Sequence, residues 1–221
     1  MNIRDRFKRL FKLRFAVMYP FVIYFAIFSN PGGWSAAYGI ALIIVGMLIR
    51  VWANGYAIKM NKLTTSGPYS IVRHPLYVGT ALIAIGFAVM LNTGYIGALF
   101  IILTLAIYYR TIKKEEVMLK TAFGQIYLDY KKKVPAILPA IFPYTAGEKW
   151  RFSLSRLVQS QEYKPVIWII IVIIAFHIKA LFFIERQTFN PAIFRMIIAA
   201  LILASIDIAG EIIKWKKRQT A

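Results

Sequence analysis

Two short stretches of this sequence carry most of the side chains that could do chemistry. The first, residues 64–79, contains Arg73-His74-Pro75 at the point where a polar loop meets a long apolar segment. The second, residues 110–130, contains the adjacent carboxylates Glu115 and Glu116. Pro75 suits the first turn of a helix, where an N–H would have no partner, and it favours an extended conformation at His74. Such a helix start, with its exposed N–H groups and positive dipole end, could bind a carboxylate or another anion.

The apolar segments around these stretches determine whether they can meet. Residues 15–49 and 76–109 contain no charged side chain, and each run exceeds the roughly 20 residues that one membrane-spanning helix needs. Helix-interrupting residues divide both runs, at 30–33 and at 92–94, so each run is predicted to fold back as a hairpin. The hairpin over 76–109 brings its two polar ends together. The loop around His74 and the helix around Glu115 are therefore expected to converge at the membrane interface.

The sequence predicts an all-α, polytopic transmembrane helix bundle. Hydrophobic residues make up 59% of the 221 residues, above the roughly 45–50% that is typical of globular domains. Six spans are predicted, at residues 15–29, 34–58, 76–91, 94–110, 166–184 and 191–213.

The predicted organisation has four parts. Residues 1–14 form a basic interfacial segment, 15–139 the transmembrane core, 140–165 a cytoplasmic interfacial linker and 166–221 a C-terminal helix pair. Within the core, a cytoplasmic helix from Arg110 is expected to close at Gly124, a residue suited to a left-handed cap, and to be followed by a short helix that ends before Pro135. This helical segment would complete a binding pocket.

The charges indicate orientation and exclude several kinds of site. The net charge is +19, and 24 of the 28 Lys and Arg residues fall on segments that six spans place on one side. By the positive-inside rule that side is the cytoplasm, with both termini there, so we expect a lipid bilayer and not a nucleic acid as partner. The absence of cysteine excludes disulfides, a thiolate nucleophile and thiolate metal ligands. With only two histidines, no metal site is predicted.

The two stretches also carry a family signature. Gly67-Pro68-Tyr69 and Arg73-His74-Pro75-x-Tyr-x-Gly are followed by Glu115-Glu116-x-x-Leu, by Phe-Gly-x-x-Tyr-x-x-Tyr over 123–130, and by Val-Pro. In this order and spacing, residues 50–139 resemble the isoprenylcysteine carboxyl methyltransferase and phospholipid methyltransferase group. The resemblance implies an integral membrane enzyme that uses S-adenosylmethionine on a lipid-like or prenylated acceptor at the cytoplasmic interface. A phospholipid amine or a thiol is an alternative acceptor.

The resemblance further implies roles for individual residues. Catalytic positions are His74, Glu115 and Arg110; the last stands beside Thr111, where the family has a substrate-contacting arginine. The positions implied to bind the cofactor are Asn54, Asn61, Lys62, Leu63, Thr64, Tyr69, His74, Pro75, Leu76, Tyr77 and Glu115.

Structural explanations compete with these roles. Arg73 could anchor headgroups, and the two glutamates could be solvated ion-pair partners worth about 0.3–0.5 kcal/mol each. Tyrosines such as Tyr127 and Tyr130 are typical of interfacial aromatic belts. Asp207 and Glu211 on the last span could pair with Arg50 or with loop lysines, or could belong to a polar groove that admits the acceptor.

Other functions remain as alternatives at this point. A nicotinamide-dependent membrane reductase of the sterol type is one, since its C-terminal region is distantly similar. A transporter or scaffold is another, although transport would require polar residues along a path between both faces, and here they cluster at one.

Overall fold

A computed structural model describes residues 18–58, 62–161 and 163–219 of the chain. Every regular element within these ranges is helical, which confirms the all-α prediction. The predicted interfacial segment 1–14 lies outside the described residues, and so does Asn61.

Seven helices are described. Four of them precede residue 134: α1 (Met18–Phe28), α2 (Gly33–Tyr56), α3 (Pro75–Met90) and α4 (Gly94–Lys133), with a short 3₁₀ turn at Gly67–Ser70 before α3. The other three are α5 (Leu154–Ser160), α6 (Tyr163–Lys179), which continues as a wide π turn over Ala180–Ile184, and α7 (Pro191–Gln219).

Four of these segments are long and apolar enough to cross a membrane: α2, α4, α6 with its π turn, and α7 up to Glu211. The described parts of α1 and α3 are apolar but shorter. The protein is therefore an integral, multi-pass membrane protein, while the count of six spans stays a prediction.

Close contact between α2 and α3 positions the start of α3. A Cβ atom added at Gly46 would lie 2.5 Å from the carbonyl oxygen of Gly79, and one added at Gly86 would lie 2.7 Å from that of Gly39. Small residues on facing helices allow this approach of two backbones, as they commonly do in membrane bundles. The first turn of α3 is thereby fixed beside the end of α2.

Helix α4 reaches well beyond a bilayer. Residues 94–123, before the break at Gly124, span about 45 Å, compared with about 30 Å for the hydrocarbon core. The uncharged part of α4, residues 94–109, is expected to lie in the hydrocarbon, and the charged residues from Arg110 onward are expected to lie outside it. At Gly124 the backbone has φ 54° and ψ −126°, so α4 is kinked where the glycine cap was predicted. The helix ends at Lys133, and therefore before Pro135, as predicted.

After α4 the chain turns back along the loop that precedes α3. The backbone N–H groups of Arg73 and His74 donate to the carbonyls of Pro135 at 2.9 Å and Ala136 at 3.1 Å, respectively. In return, the N–H of Ala140 donates to the carbonyl of Ile71 at 2.9 Å. These bonds fix both sides of the loop around His74.

The chain divides into two compact units, residues 1–159 and 160–221. The second unit consists of α6 and α7. In it Lys164 lies 3.6 Å from Asp207 and also contacts Glu211, and the indole N–H of Trp168 donates to Asp207 at 3.1 Å. A lysine was one of the partners expected for Asp207 and Glu211, and the structure shows Lys164 in contact with both.

Candidate functional site

His74 and Glu115 face each other where the loop before α3 meets α4. The Nδ1 atom of His74 lies 3.5 Å from a carboxylate oxygen of Glu115, and the His74 side chain is only 3% exposed. The His74 ring packs against Tyr77, with ring centroids 5.7 Å apart. Burial raises the pKa of Glu115, but the hydrogen bond and charge of His74, together with a hydrogen bond from Tyr77, outweigh it and hold the pKa below the usual 4.5.

A buried ionic cluster lies directly behind this pair. Arg73 Nη2 lies 2.5 Å from one carboxylate oxygen of Glu116, and Lys131 Nζ lies 2.7 Å from the other. The Arg73 and Glu116 side chains are 8% and 7% exposed. Burial raises the pKa of Glu116, yet its bonds with Lys131 and Arg73 lower the pKa overall. Glu116 is therefore an ionised group with two cationic partners.

Arg73 also joins three segments of the chain. Its Nη1 atom donates to the carbonyls of Val134 at 2.5 Å and Lys131 at 2.9 Å, while Nη2 binds Glu116. One guanidinium thus connects the loop before α3, the middle of α4 and the end of α4. The interpretation of Arg73 as a headgroup anchor does not hold, because its charge is buried and already paired.

A cavity of about 210 Å³ lies beside these groups. Its polar lining includes Glu115, Arg73, Lys62 and Thr64, and aromatic rings contribute a large part of the remainder. The complete set of lining residues is Ala57, Ile58, Lys62, Leu63, Thr64, Tyr69, Arg73, Leu76, Glu115, Leu119, Phe123, Tyr127 and Tyr130.

Six of the residues predicted to form the site line this cavity: Lys62, Leu63, Thr64, Tyr69, Leu76 and Glu115. Two others lie directly against Glu115, since His74 is at ion-pair distance and Tyr77 donates a hydrogen bond to it. The Nε2 atom of His74 is buried without a hydrogen bond, 3.7 Å from Glu116. It is a polar atom at the site that a ligand or water could satisfy.

The remaining predicted residues that the structure describes lie apart from the cavity lining. Pro75 begins α3, and the amide of Asn54 donates to the carbonyl of Arg50 in its own helix. Arg110 is exposed on α4, while Thr111 beside it is buried and donates its hydroxyl to the carbonyl of Ile107. The catalytic role of Arg110 stays a prediction.

The comparison with known families matches this region. Residues 34–126 match the family described as phospholipid methyltransferase. The matched residues are thus similar to this family over a little less than half of the chain. The matched range contains α2, α3 and the part of α4 that carries both glutamates, so the resemblance seen in the motifs is confirmed.

Curated relatives agree with the family. The chain is 34% identical over 120 residues to the protein-S-isoprenylcysteine O-methyltransferase of Rattus norvegicus. This alignment covers 49% of the present chain and 42% of the relative. The chain is 31% identical over 120 residues to protein-S-isoprenylcysteine O-methyltransferase B of Arabidopsis thaliana, covering 49% and 61%. A third relative is the cobalt-zinc-cadmium resistance protein CzcN of Cupriavidus metallidurans, 33% identical over 119 residues, with 53% of each chain covered.

The chain thus spans about half the length of these relatives. No solved structure gives a significant match. In the part of the chain that the structure describes, no group of three or more His, Asp or Glu side chains could hold a metal ion.

Three residues in or just after the matched region were not given a functional role from the sequence. Glu116 anchors Arg73, and Tyr127 and Tyr130, which are only 1% and 2% exposed, line the cavity instead of forming an interfacial belt. The Tyr130 hydroxyl donates to the carbonyl of Tyr69 at 2.6 Å. All three residues belong to the sequence motif described above, and this motif is the feature from which a role in the site could have been predicted.

Proposed function

We propose that this protein is a membrane methyltransferase that uses S-adenosylmethionine to methylate a lipid-like acceptor at the cytoplasmic interface. The observation that carries the proposal is the pairing of His74 with Glu115 at 3.5 Å beside a cavity at the polar end of α3 and α4. The family match over residues 34–126 supports methyl transfer. The excess of Lys and Arg on one side of the predicted spans supports the cytoplasmic face.

The residues around the cavity fit the chemical groups of this donor. Leu76 lines the cavity, so the first turn of α3 faces it and suits the donor carboxylate. Glu115 can accept hydrogen bonds from the ammonium or the ribose hydroxyls. The rings of Tyr69, Phe123 and Tyr127 supply faces for the base or for the sulfonium cation. When bound, the donor supplies an electrophilic methyl group that is transferred in one displacement.

Residues 62–64 form one wall of the cavity. The cavity holds about 210 Å³, whereas small-molecule sites usually hold about 300 Å³ or more. This wall is fastened by Lys62, whose Nζ lies 3.1 Å from Glu148 in an exposed ion pair. Exposed pairs contribute at most about 1 kcal/mol, and the same wall is also held by the bond from the Ile58 N–H to the Thr64 hydroxyl at 3.1 Å.

The state of the ionisable groups favours an acceptor that needs no deprotonation. Glu116 is held between Arg73 and Lys131, the pKa of Glu115 is lowered, and burial raises the pKa of Tyr127 to about 12, so none of these three groups readily accepts a proton at neutral pH. A carboxylate is already nucleophilic at neutral pH, whereas an ammonium must first lose a proton. Among lipid-like acceptors, a prenylcysteine carboxylate therefore suits the site better than a phospholipid amine. The residues then act by aligning the two reactants and excluding water.

Calorimetry with S-adenosylhomocysteine tests the donor site. We expect the purified protein in nanodiscs to bind it, and Glu115→Gln to weaken binding about 10- to 100-fold, the loss of a charge-assisted hydrogen bond. Glu185→Gln is the matched control, since Glu185 is exposed in the loop after α6 and should leave affinity unchanged. Absence of binding, with tight binding of a nicotinamide cofactor instead, would favour the reductase.

The acceptor is tested separately with a labelled methyl donor. Vesicles that contain a farnesylcysteine analogue, phosphatidylethanolamine or a long-chain thiol are incubated with the enzyme, and extracts are analysed by mass spectrometry. Label in a base-labile ester of the farnesylcysteine analogue is the expected result. Label in the phospholipid amine or in the thiol would keep the methyltransferase and overturn the carboxylate acceptor.

A further inference from the structure

The loop that follows α4 exposes a cluster of large apolar side chains. Ile137 is 44% exposed, Leu138 75%, Ile141 90% and Phe142 82%. We call residues 137–142 the apolar loop. It is not helical, and contiguous apolar exposure of this kind marks a contact surface.

The position of the apolar loop is fixed by the backbone at the start of α3. The N–H of His74 donates to the carbonyl of Ala136 at 3.1 Å, and the N–H of Ala140 donates to the carbonyl of Ile71 at 2.9 Å. Helix α3 begins one residue after His74 and carries no charged side chain. The apolar loop therefore lies at the level where the chain enters the hydrocarbon.

Positive charges adjoin the apolar loop. Lys131, Lys132 and Lys133 are the last residues of α4, and between Asp129 and Glu148 the sequence has no acidic residue. Lys132 is 74% exposed, with Asp129 at 3.7 Å as its ion-pair partner. Exposed cations beside exposed apolar side chains are the combination that binds a membrane surface rich in anionic lipids.

We propose that residues 132–142 form a membrane-contact surface separate from the spanning helices. The apolar loop inserts into the boundary between headgroups and acyl chains, and Lys132 and Lys133 bind anionic headgroups. Because the same segment holds Arg73 and His74 through backbone bonds, its contact with lipid keeps the cavity at the depth of the headgroups. This surface does not depend on methyl transfer, so its test is independent of the proposed function.

The chain contains no cysteine, so a single introduced cysteine can be spin-labelled without removing others. Ile141→Cys places the label in the apolar loop. Val117→Cys is the matched control, because Val117 is 66% exposed on the part of α4 outside the hydrocarbon and stands between Lys113 and Lys120. The collision rates of each nitroxide with oxygen and with a water-soluble nickel chelate report its depth.

In phosphatidylcholine vesicles with phosphatidylglycerol, we expect the label at 141 to favour oxygen and the label at 117 to favour the nickel chelate. An equal, aqueous response at both positions would overturn the proposal. Dipolar broadening in the singly labelled Ile141→Cys protein would also overturn it, because a second copy of the chain would then cover the surface.

The lysines are tested in the same background. The label at 141 should lie deeper in vesicles with phosphatidylglycerol than in pure phosphatidylcholine, and Lys132→Gln with Lys133→Gln should abolish that difference. If the difference persists, the assignment of these lysines to anionic headgroups is overturned. An unchanged elution volume in gel filtration shows that each variant is folded.

Discussion

Two ion-pair clusters in the described residues, one around Glu116 and one around Lys164, differ sharply in their surroundings. In the first, Arg73 and Glu116 are less than a tenth exposed and Arg73 also binds two backbone carbonyls. In the second, Lys164 contacts Asp207 and Glu211, but the Glu211 side chain is 55% exposed. The first cluster lies behind a cavity, and the second joins the two helices of a hairpin. Similar charges therefore serve to fix a site in one region and to join two helices in the other.

Removing the buried anion should have the largest effect. Glu116→Gln leaves the Arg73 guanidinium and the Lys131 ammonium without their counter-charge, so we expect the free energy of unfolding to fall by about 3 kcal/mol. Unfolding in mixed micelles titrated with dodecyl sulfate, followed by circular dichroism, measures the change. Faster hydrogen exchange at the amides of Arg73 and His74 would locate it in the loop before α3.

A compensating pair of substitutions sharpens this result. Arg73→Met combined with Glu116→Leu removes both buried charges, and it should recover part of the stability that Glu116→Gln loses. The recovery is incomplete because the carbonyls of Lys131 and Val134 lose their donor. If the double variant is the less stable of the two, the charge pairing is not the cause of the loss.

The contribution of the Glu116 ion pairs to stability should depend on pH in a defined direction. The pKa of Glu116 is lower in the folded protein than its ordinary value of 4.5, so its ion pairs stabilise the fold fully above that value. The difference in unfolding free energy between the native protein and Glu116→Gln should shrink as the pH falls below 4.5. A difference that grows on acidification would contradict the assignment.

A smaller effect is expected at the tyrosine that holds Tyr69 in place. Tyr130→Phe removes the hydroxyl that donates to the Tyr69 carbonyl at 2.6 Å, a loss of about 1 kcal/mol. Because Tyr69 lines the cavity, affinity for S-adenosylhomocysteine should fall a few-fold. Tyr95→Phe is the control, since Tyr95 is 94% exposed, and it should change neither stability nor affinity.

Much of this arrangement could be predicted from the sequence because it follows from topology. The hairpin of α3 and α4 requires that their polar ends meet, and the break at Gly124 follows from glycine's tolerance of positive φ. The contact between His74 and Glu115 is a consequence of these local features. The roles of both residues in methyl transfer stay predictions.

The orientation of α4 about its axis could not be predicted. Glu115 and Glu116 point about 100° apart on the helix, so packing determines which of them faces the cavity and which faces Arg73. The same rotation buries Thr111 and exposes Arg110. Burial of Tyr130 depends on the kink and on the chain that returns after Lys133, neither of which leaves a periodic signal in the sequence.

The smallest effect is expected in the second charge cluster. Glu211→Gln removes a carboxylate that is 55% exposed, and exposed ion pairs contribute about 0.2–1 kcal/mol. Asp207, whose side chain is 11% exposed, keeps Lys164 at 3.6 Å and its bond from Trp168. Unfolding under the conditions used for Glu116→Gln should show a loss of less than about 1 kcal/mol, and salt should reduce it further. A loss as large as that of Glu116→Gln would remove the distinction between the two regions, because burial would then not decide what an ion pair contributes.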